Sequence, residues 1–406
     1  MAWRNLWRHR RRTLLTLSSI GFGTMLAVLF TGIGDSNWRD MIDLAARLGA
    51  GHVTLQHPGY LDAPSLSRTV RMGSLRDQVL RDPDVERVVP RIAGQLMLST
   101  AGQSYGAGFI AIDPAAEDES TLSLIAALAQ GSMFESSASK GIILGQRLAD
   151  NLDVSLGGKV VLTLTDRTGE IVRDVSRVSG IVRTGSPTVD GTLCLLAIDR
   201  MRQVLGYEPD EATQVALFLR DQRAASRTAA RLQPIGGDAV AALTWRETQP
   251  DLAAFIAMKI AGAQVMEAII AILVAAGIFN TLFVSVMERM REFGIMIAIG
   301  FSPSRLFGLV MFESLWLGLV GLATSAVLVA GPYYYLATTG IDISAQLELS
   351  GSEVAGIALS PIMHAAIYPE NLAVIVTAAL IATLLAGLYP AWQAGRVVPV
   401  ETIRLV

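Results

Sequence analysis

Two carboxylates lie inside long apolar segments, where a charge is expensive. Glu267 is the only charged residue of segment 265–287, and Glu313 is the only one of segment 306–330. A charge at mid-bilayer costs about 3 kcal/mol on insertion scales, so such residues usually face protein or mark a pathway. Glu267 lies at the outer rim and can reach the interface. Glu313 lies deeper, so we expect it to face the protein interior or a partner subunit. No paired chain of acids accompanies them, which favours a structural role over proton coupling.

Motifs for catalysis are missing from the sequence. The nearest fragment to a phosphate-binding loop, 157–160, lacks both the glycine spacing and the hydroxyl that binds magnesium. G-x-S-x-G and H-E-x-x-H are absent. His52 and His57 should point to opposite faces of a predicted strand and turn, and Cys194, in an apolar strand, should be buried. We therefore expect no enzymatic activity, metal or cofactor in this chain.

The charges are distributed unevenly along the 406 residues. The whole chain is 17% charged, with a net charge of −3 and 51% hydrophobic residues. Residues 35–264 hold 23 Lys plus Arg and 27 Asp plus Glu, which is 50 of the 69 charges. These 50 charges are about 22% of the 230 residues in that segment, which is close to the soluble norm of about 25%. The low overall charge argues against disorder and against a nucleic-acid partner.

Four apolar segments are long enough to cross a bilayer, which needs about 20 residues. They are residues 13–34, 265–287, 306–330 and 372–392. Core helices of a soluble protein rarely contain such runs, so we favour membrane spans. The first segment follows five arginines and resembles a secretory signal. Its apolar run is longer than a typical signal core, and we interpret it as an uncleaved span although Gly32 and Gly34 lie near its end.

The basic residues of the short loops predict the orientation. The N-terminal segment 1–12 has five Arg, segment 288–305 has three and the tail 393–406 has two, whereas loop 331–371 has no Lys or Arg. Basic loops remain cytoplasmic. Both termini should therefore be cytoplasmic, and domain 35–264 should lie outside, in the periplasm.

Residues 35–264 predict an α+β domain inserted between the first two spans. Apolar stretches bounded by Gly, Pro or Asp indicate strands at 52–56, 95–100, 109–112, 159–164, 171–182, 192–197, 214–219 and 239–244. Helices are predicted at 120–130, 146–152, 199–205 and 221–232, with Asp199 as an N-cap. Residues 166–169 predict a hairpin turn.

Helical stalks should flank this domain. Trp38, Met41, Ile42, Ala45 and Leu48 follow a helical period after span one, and Leu252, Phe255, Ile256, Lys259 and Ile260 do so before span two. They either pack on the domain or couple membrane motion to it, and both can be true.

The stretch 288–300, ERMREFGIMIAIG, resembles the signature of FtsX-like ABC permeases. Ile297 stands where that pattern usually has a basic residue, which puts one polar contact with the ATPase in doubt. The start WRNLWR, the Tyr389-Pro390-Ala391 sequence and the closing PVETIR resemble the same family. Stretches 51–55, 141–145 and 157–160 resemble the MacB-type periplasmic core domain. Length and layout are most similar to the lipoprotein-releasing LolC/LolE subunits, because MacB-type exporters carry a fused ATPase and FtsX has a smaller external domain.

The resemblance implies an inner-membrane permease that pairs with a second permease subunit, identical or paralogous, and with two copies of a separate ATPase, which holds ATP and Mg. In that family ATP drives a lipoprotein from the outer leaflet to a periplasmic carrier. Alternatives are MacB-like export of drugs or peptides and FtsX-like signalling to a cell-wall hydrolase.

Two residue sets follow from this reading. The coupling set, expected to contact the ATPase, comprises Glu288, Arg289, Arg291, Glu292, Gly294, Ile295, Ala298 and Gly300. The alternative for this segment is a plain juxtamembrane helix whose arginines contact lipid headgroups. The cavity set, expected to contact acyl chains and membrane lipids, comprises Phe22, Met25, Leu26, Leu29, Phe30, Met266, Ile269, Ile270 and Leu273. An equally good alternative is that these residues only face membrane lipid or pack against other helices.

Overall fold

The computed structural model describes residues 10–73, 75–350, 353–354, 357–358 and 360–396. Within that part the chain forms two compact units. We call residues 38–256 and 344–361 the inserted domain, and the remaining described residues the membrane bundle. The predictions for residues 1–9 and for the tail after 396 fall outside the described residues.

The inserted domain is an α+β fold, as predicted. Helix α1 (Arg10–Leu48) leads into it. Its strands are β1 Val53–Gln56, β2 Val70–Arg71, β3 Val85–Ser99, β4 Ser104–Ile112, β5 Leu128–Gly131, β6 Gly141–Gly145, β7 Lys159–Thr165, β8 Ile171–Val182, β9 Leu193–Ala197, β10 Glu211–Ala212, β11 Gln214–Leu219 and β12 Ala241–Thr244. Its helices are α2 Leu75–Val79, α3 Gln146–Asn151, α4 Pro187–Thr192, α5 Ile198–Leu205, α6 Ala225–Gly236 and α7 Trp245–Thr248.

A ten-stranded sheet forms the framework of the inserted domain. Its order is β12-β1-β11-β3-β4-β9-β6-β8-β5, and β7 pairs with both β3 and β8. The pairings β3-β4-β9-β6-β8-β7-β3 therefore close into a ring of six strands. The ring encloses a core that includes Phe109, Leu144, Leu162 and Cys194. The predicted hairpin is confirmed, because Thr165 pairs with Ile171 across residues 166–169 and Gly169 takes a positive φ of 89°.

The stalks pack on the domain rather than standing apart. Met41, Ile42 and Ala45 of α1 share a core with Leu252 and Ile256. Trp38 meets Phe255 edge to face, with ring centroids 6.4 Å apart. The packing interpretation of the stalks is thus confirmed for these residues, whereas Ile260 is exposed.

Two sequence predictions in this domain are wrong. Residues 120–130 do not form a helix: the backbone turns around Asp118, and residues from 128 form β5 on β8. Leu122 and Leu124 are both buried there, a spacing of two that suits no helix face. Asp199 is not an N-cap. It lies in the first turn of α5, whose N-cap is Ala197, and pairs with Arg202 instead.

The membrane bundle contains four helices long and apolar enough to cross a bilayer. They are α1, α8 Pro250–Glu288, α10 Pro303–Thr338 and α12 Pro369–Gly395, with the short helix α9 Met290–Ala298 between α8 and α10. Between α10 and α12 lie β13 Ile341–Asp342, α11 Ser344–Ser350, β14 Glu353–Val354, β15 Ile357–Ala358 and β16 Ile362–Met363.

Glycines bring the bundle helices into close contact. A Cβ at Gly23 of α1 would clash with Val274 of α8, and one at Gly387 of α12 would clash with Ser314 of α10. Small residues allow such approach where lipid provides no hydrophobic drive between helices. Ile20, Ile278, Leu317 and Ala386, one from each long helix, meet in a shared core.

Candidate functional site

Residues 288–305, which we call the coupling segment, are held to α10 by a buried ion pair. Arg289, at the N-cap of α9, donates from Nη1 to both carboxylate oxygens of Glu313, each at 3.0 Å. The Arg289 and Glu313 side chains are 10% and 8% exposed. Arg289 Nε also donates to Glu292 at 3.3 Å, and Glu292 is 42% exposed. The charge of Glu313 is therefore neutralised from within the chain, and its expected interior orientation is what the structure shows.

An apolar cluster surrounds this pair. Phe293 of α9 is fully buried, and the Arg289 guanidinium lies 5.0 Å from its ring centroid. Phe293 packs with Val310 of α10 and with Ala391 and Ala394 of α12. Helix α9 thus contacts two long helices through both the ion pair and close packing.

The coupling set divides into two faces. Arg289 and Gly294 are buried, and Glu292 is half-buried. The exposed members are Glu288, Arg291, Ile295, Ala298 and Gly300. Arg289 belongs to the set expected to contact the ATPase, but its side chain points inward to Glu313. The exposed surface combines Ile295, Ala298 and Gly300 with the charged residues Glu288 and Arg291, and its contact with an ATPase remains a prediction.

The cavity set also divides. Phe22, Phe30, Met266, Ile269 and Leu273 are exposed by 47–67%. Met25, Leu26, Leu29 and Ile270 are half-buried. Ile270 lies against Gly23, so it belongs to the contact between α1 and α8. The exposed members leave an apolar surface on these two helices.

Two carboxylates make polar contacts between bundle helices: Glu267, which the sequence singled out, and Asp35, which it did not. Glu267 accepts a 2.5 Å hydrogen bond from Thr31 Oγ1, which joins α8 to α1. Asp35, which is 9% exposed, accepts from the Tyr368 backbone N–H at 3.0 Å and from Asn371 Nδ2 at 2.8 Å. An anion is favoured at a helix N-terminus, here that of α12. Sequence reasoning missed Asp35 because it assigned this residue to the inserted domain.

His52 and Cys194 of the inserted domain are hydrogen-bonded or buried. His52 lies 2.8 Å from Asp43 and accepts a hydrogen bond from the Leu219 N–H. Burial raises the pKa of the Cys194 thiol, which disfavours the reactive thiolate. Among the described residues, no group of three His, Cys, Asp or Glu side chains could hold a metal ion.

Within the inserted domain, Glu353 joins residues 344–361 to the start of α4. Its carboxylate accepts from Ser186 Oγ at 2.5 Å and from Thr188 Oγ1 at 2.6 Å. These hydrogen bonds hold the pKa of Glu353 below its ordinary value. No sequence motif marked this contact.

Comparisons with known proteins agree with the layout. Residues 13–235 match the model of the MacB-like periplasmic core domain, and residues 265–399 match that of the FtsX-like permease C-terminal domain. The LolE protein of Haemophilus influenzae, a lipoprotein-releasing system transmembrane protein, is 22% identical over 98% of this chain and 97% of its own length.

Two further matches cover a smaller share of this chain than LolE does. A LolC protein of Xylella fastidiosa is 25% identical, and the match spans 65% of this chain and 64% of that protein. The solved periplasmic region of MacB from Actinobacillus actinomycetemcomitans aligns with 49% of this chain and 90% of its own at 12% identity, with a TM-score of 0.34.

The first family model alone covers more than half of the chain, and the second follows it in the same order as the inserted domain and the later helices. The chain therefore belongs to the FtsX-like, MacB-type family of ABC transporter permeases.

Proposed function

We propose that this chain is the permease subunit of a transporter that extracts lipoproteins from the outer leaflet of the bacterial inner membrane. A separate ATPase, in two copies, supplies the energy. A second permease subunit completes the membrane part, and a periplasmic carrier receives the lipoprotein. The similarity to LolE over nearly the full chain is the observation that carries this proposal.

Lipid extraction needs an apolar surface that acyl chains can occupy. Each buried CH₂ is worth about 0.8 kcal/mol, so a triacylated anchor cannot leave the bilayer unaided. The exposed Phe22, Phe30 and Met266 side chains supply such a surface. Phe and Met suit acyl chains of variable shape, because Met in particular is flexible and polarizable.

Force must also reach those helices from the ATPase. The exposed face of the coupling segment offers Ile295 and Arg291 for contact. Its buried face is tied to α10 through Arg289 and Glu313. We infer that the ATPase pushes on the first face and that the ion pair passes the displacement to the long helices.

The proposed topology places both termini in the cytoplasm and the inserted domain in the periplasm. The arginines of segment 288–305 and the absence of Lys and Arg in loop 331–371 support it. A cysteine-labelling experiment checks this topology. Ser302→Cys should react with a membrane-impermeant maleimide only after the inner membrane is opened, whereas Glu170→Cys should react in intact spheroplasts.

The function is tested by purifying the full chain with its partner ATPase and identifying bound molecules by mass spectrometry. We expect a triacylated lipoprotein. Leu273→Asn should lower its recovery several-fold, because a polar group enters the acyl surface. Leu385→Asn is the matched control, since Leu385 is similarly exposed on α12 and lies outside the cavity set.

Other results would favour the alternatives. A bound drug or peptide without a lipid anchor would support export in the manner of MacB. A complex that holds no cargo and needs none to function would support signalling. Equal loss with both Asn variants would show that the α1–α8 surface has no special role.

A further inference from the structure

Four aromatic rings of α8 and α12 form one surface that ends at an arginine. Phe279 and Phe283 stack with centroids 5.8 Å apart. Tyr389 lies 5.9 Å from Phe279 and also 5.9 Å from Trp392. The Arg396 guanidinium stands 4.0 Å from the Trp392 ring centroid. We call these four rings and Arg396 the aromatic ladder.

Three rings of the aromatic ladder are exposed at the surface of the structure. Phe279, Tyr389 and Trp392 are 37%, 49% and 44% exposed. The phenylalanines lie within the apolar part of α8, whereas Trp392 lies three residues before the end of α12 at Gly395. Tyr and Trp prefer the level of the lipid headgroups. Polarity along the ladder therefore rises from hydrocarbon to interface.

A second arginine adds positive charge at the polar end. Gly395 lies so close to Pro303 that a Cβ there would be 3.2 Å from the Pro303 carbonyl oxygen, which brings the start of α10 next to the end of α12. Arg305, in the first turn of α10, is exposed, as is Arg396. Neither guanidinium forms an ion pair with a carboxylate of the described residues.

We propose that the aromatic ladder binds an anionic phospholipid of the leaflet that meets the C-terminal end of α12. The phosphate pairs with Arg396, the glycerol region lies over Trp392 and Tyr389, and an acyl chain follows Phe279 and Phe283. The order apolar, interfacial and cationic along the ladder matches the order acyl, glycerol and phosphate in the lipid. A basic site between helix ends is a recurring form of anionic-lipid recognition.

The test measures which lipid touches Trp392. The full chain is reconstituted in vesicles of phosphatidylcholine with one fifth phosphatidylglycerol, with bromine on the acyl chains of one lipid or the other. The fluorescence of Trp392 is obtained by subtracting that of Trp392→Phe. We expect brominated phosphatidylglycerol to quench it as though that lipid bound about fivefold more tightly than phosphatidylcholine, the factor that corresponds to one arginine near a membrane surface. Its share of the lipid next to Trp392 would then rise from one fifth to about one half. Arg396→Gln should abolish the enrichment.

Trp316 provides the matched control. It is 41% exposed on α10 and lies 13 residues from the start of that helix. The fluorescence of Trp316, obtained in the same way by subtracting that of Trp316→Phe, should be quenched by each lipid in proportion to its bulk fraction. Equal quenching of Trp392 by both lipids overturns the proposal, and so does a Trp392 signal that neither lipid quenches, which would mean that protein covers the ladder. Circular dichroism melting of each variant shows that it remains folded.

Discussion

The inserted domain and the membrane bundle each bury an arginine–glutamate pair, but the two pairs differ in geometry. In the domain, Arg91 and Glu117 have fully buried side chains. The guanidinium forks onto the carboxylate with bonds of 2.7 and 2.9 Å and also donates to the carbonyls of Gly49 and Thr121. In the bundle, one nitrogen of Arg289 is shared between both oxygens of Glu313.

Their surroundings differ as well. The side chains of Arg91 and Glu117 are both fully enclosed by the domain. Arg289 also contacts Glu292, which is 42% exposed, so its interactions continue to the surface of the coupling segment. The comparison teaches that burial alone does not define a pair's role: the first closes a core, and the second joins a surface helix to a membrane helix.

The largest effect is expected in the enclosed pair. Glu117→Ala leaves the Arg91 cation buried without its anion, which should destabilise the domain by about 3–5 kcal/mol. Pulse proteolysis of the full chain in detergent measures the loss. Glu119→Ala, an exposed neighbour, is the control and should change stability little. A loss below about 1 kcal/mol would show that the Arg91 pair is not structural.

A smaller loss of stability, but a large loss of activity, is expected in the bundle. Glu313→Ala leaves Arg289 with Glu292 and should cost about 1–3 kcal/mol. ATP hydrolysis by the complex should then proceed without cargo release. Thermal melts and the ratio of release to hydrolysis check this. If release stays coupled to hydrolysis, the pair does not transmit force.

A third prediction concerns the coupling surface. Ile295→Asp places a charge on the exposed face of α9 and should lower co-purification of the ATPase at least tenfold, with the chain still folded. Ile341→Asp, similarly exposed on β13, is the matched control. Equal recovery of the ATPase with both variants would remove α9 from the interface.

The smallest effect is expected in the partly exposed ion pair between Arg231 and Asp82 of the domain. Hydrogen bonds from Arg231 hold the pKa of Asp82 below its ordinary 3.8. The ionised carboxylate therefore stabilises the fold above that ordinary pKa, and this contribution disappears as the pH falls through the lower, folded-state pKa. Asp82→Asn should melt slightly below the wild type at pH 7, and the difference should shrink below about pH 4. A difference that is independent of pH would argue against an ionised Asp82.

Local patterns predicted the fold where periodicity and turn residues agreed. Strand β8 and the turn at 166–169 were predicted with their observed bounds, because apolar alternation ends at residues that favour a hairpin. Residues 120–130 were predicted wrongly, because helix formers in sequence were overridden by a tertiary contact: the Thr121 carbonyl binds Arg91. Strand β6, a short apolar run flanked by glycines, was not assigned as a strand.

Long-range pairs could not be predicted from spacing. Glu313 indicated that a partner must exist, because an isolated charge in a membrane span is costly. Three arginines of segment 288–305 could have supplied it, and only the structure shows that Arg289 does so. Arg91 gave a weaker signal, a lone cation in the apolar stretch VVPRI, and Glu117 lies 26 residues away.

The central claim is tested most directly by ATP-driven release of a triacylated lipoprotein from proteoliposomes that contain this chain and its partner ATPase. The account predicts that the lipoprotein appears in the soluble fraction, bound to the carrier, with ATP but not with a non-hydrolysable analogue, and that Glu313→Ala lowers its yield per ATP hydrolysed at least tenfold. ATP hydrolysis by the wild-type complex with no lipoprotein released would contradict it.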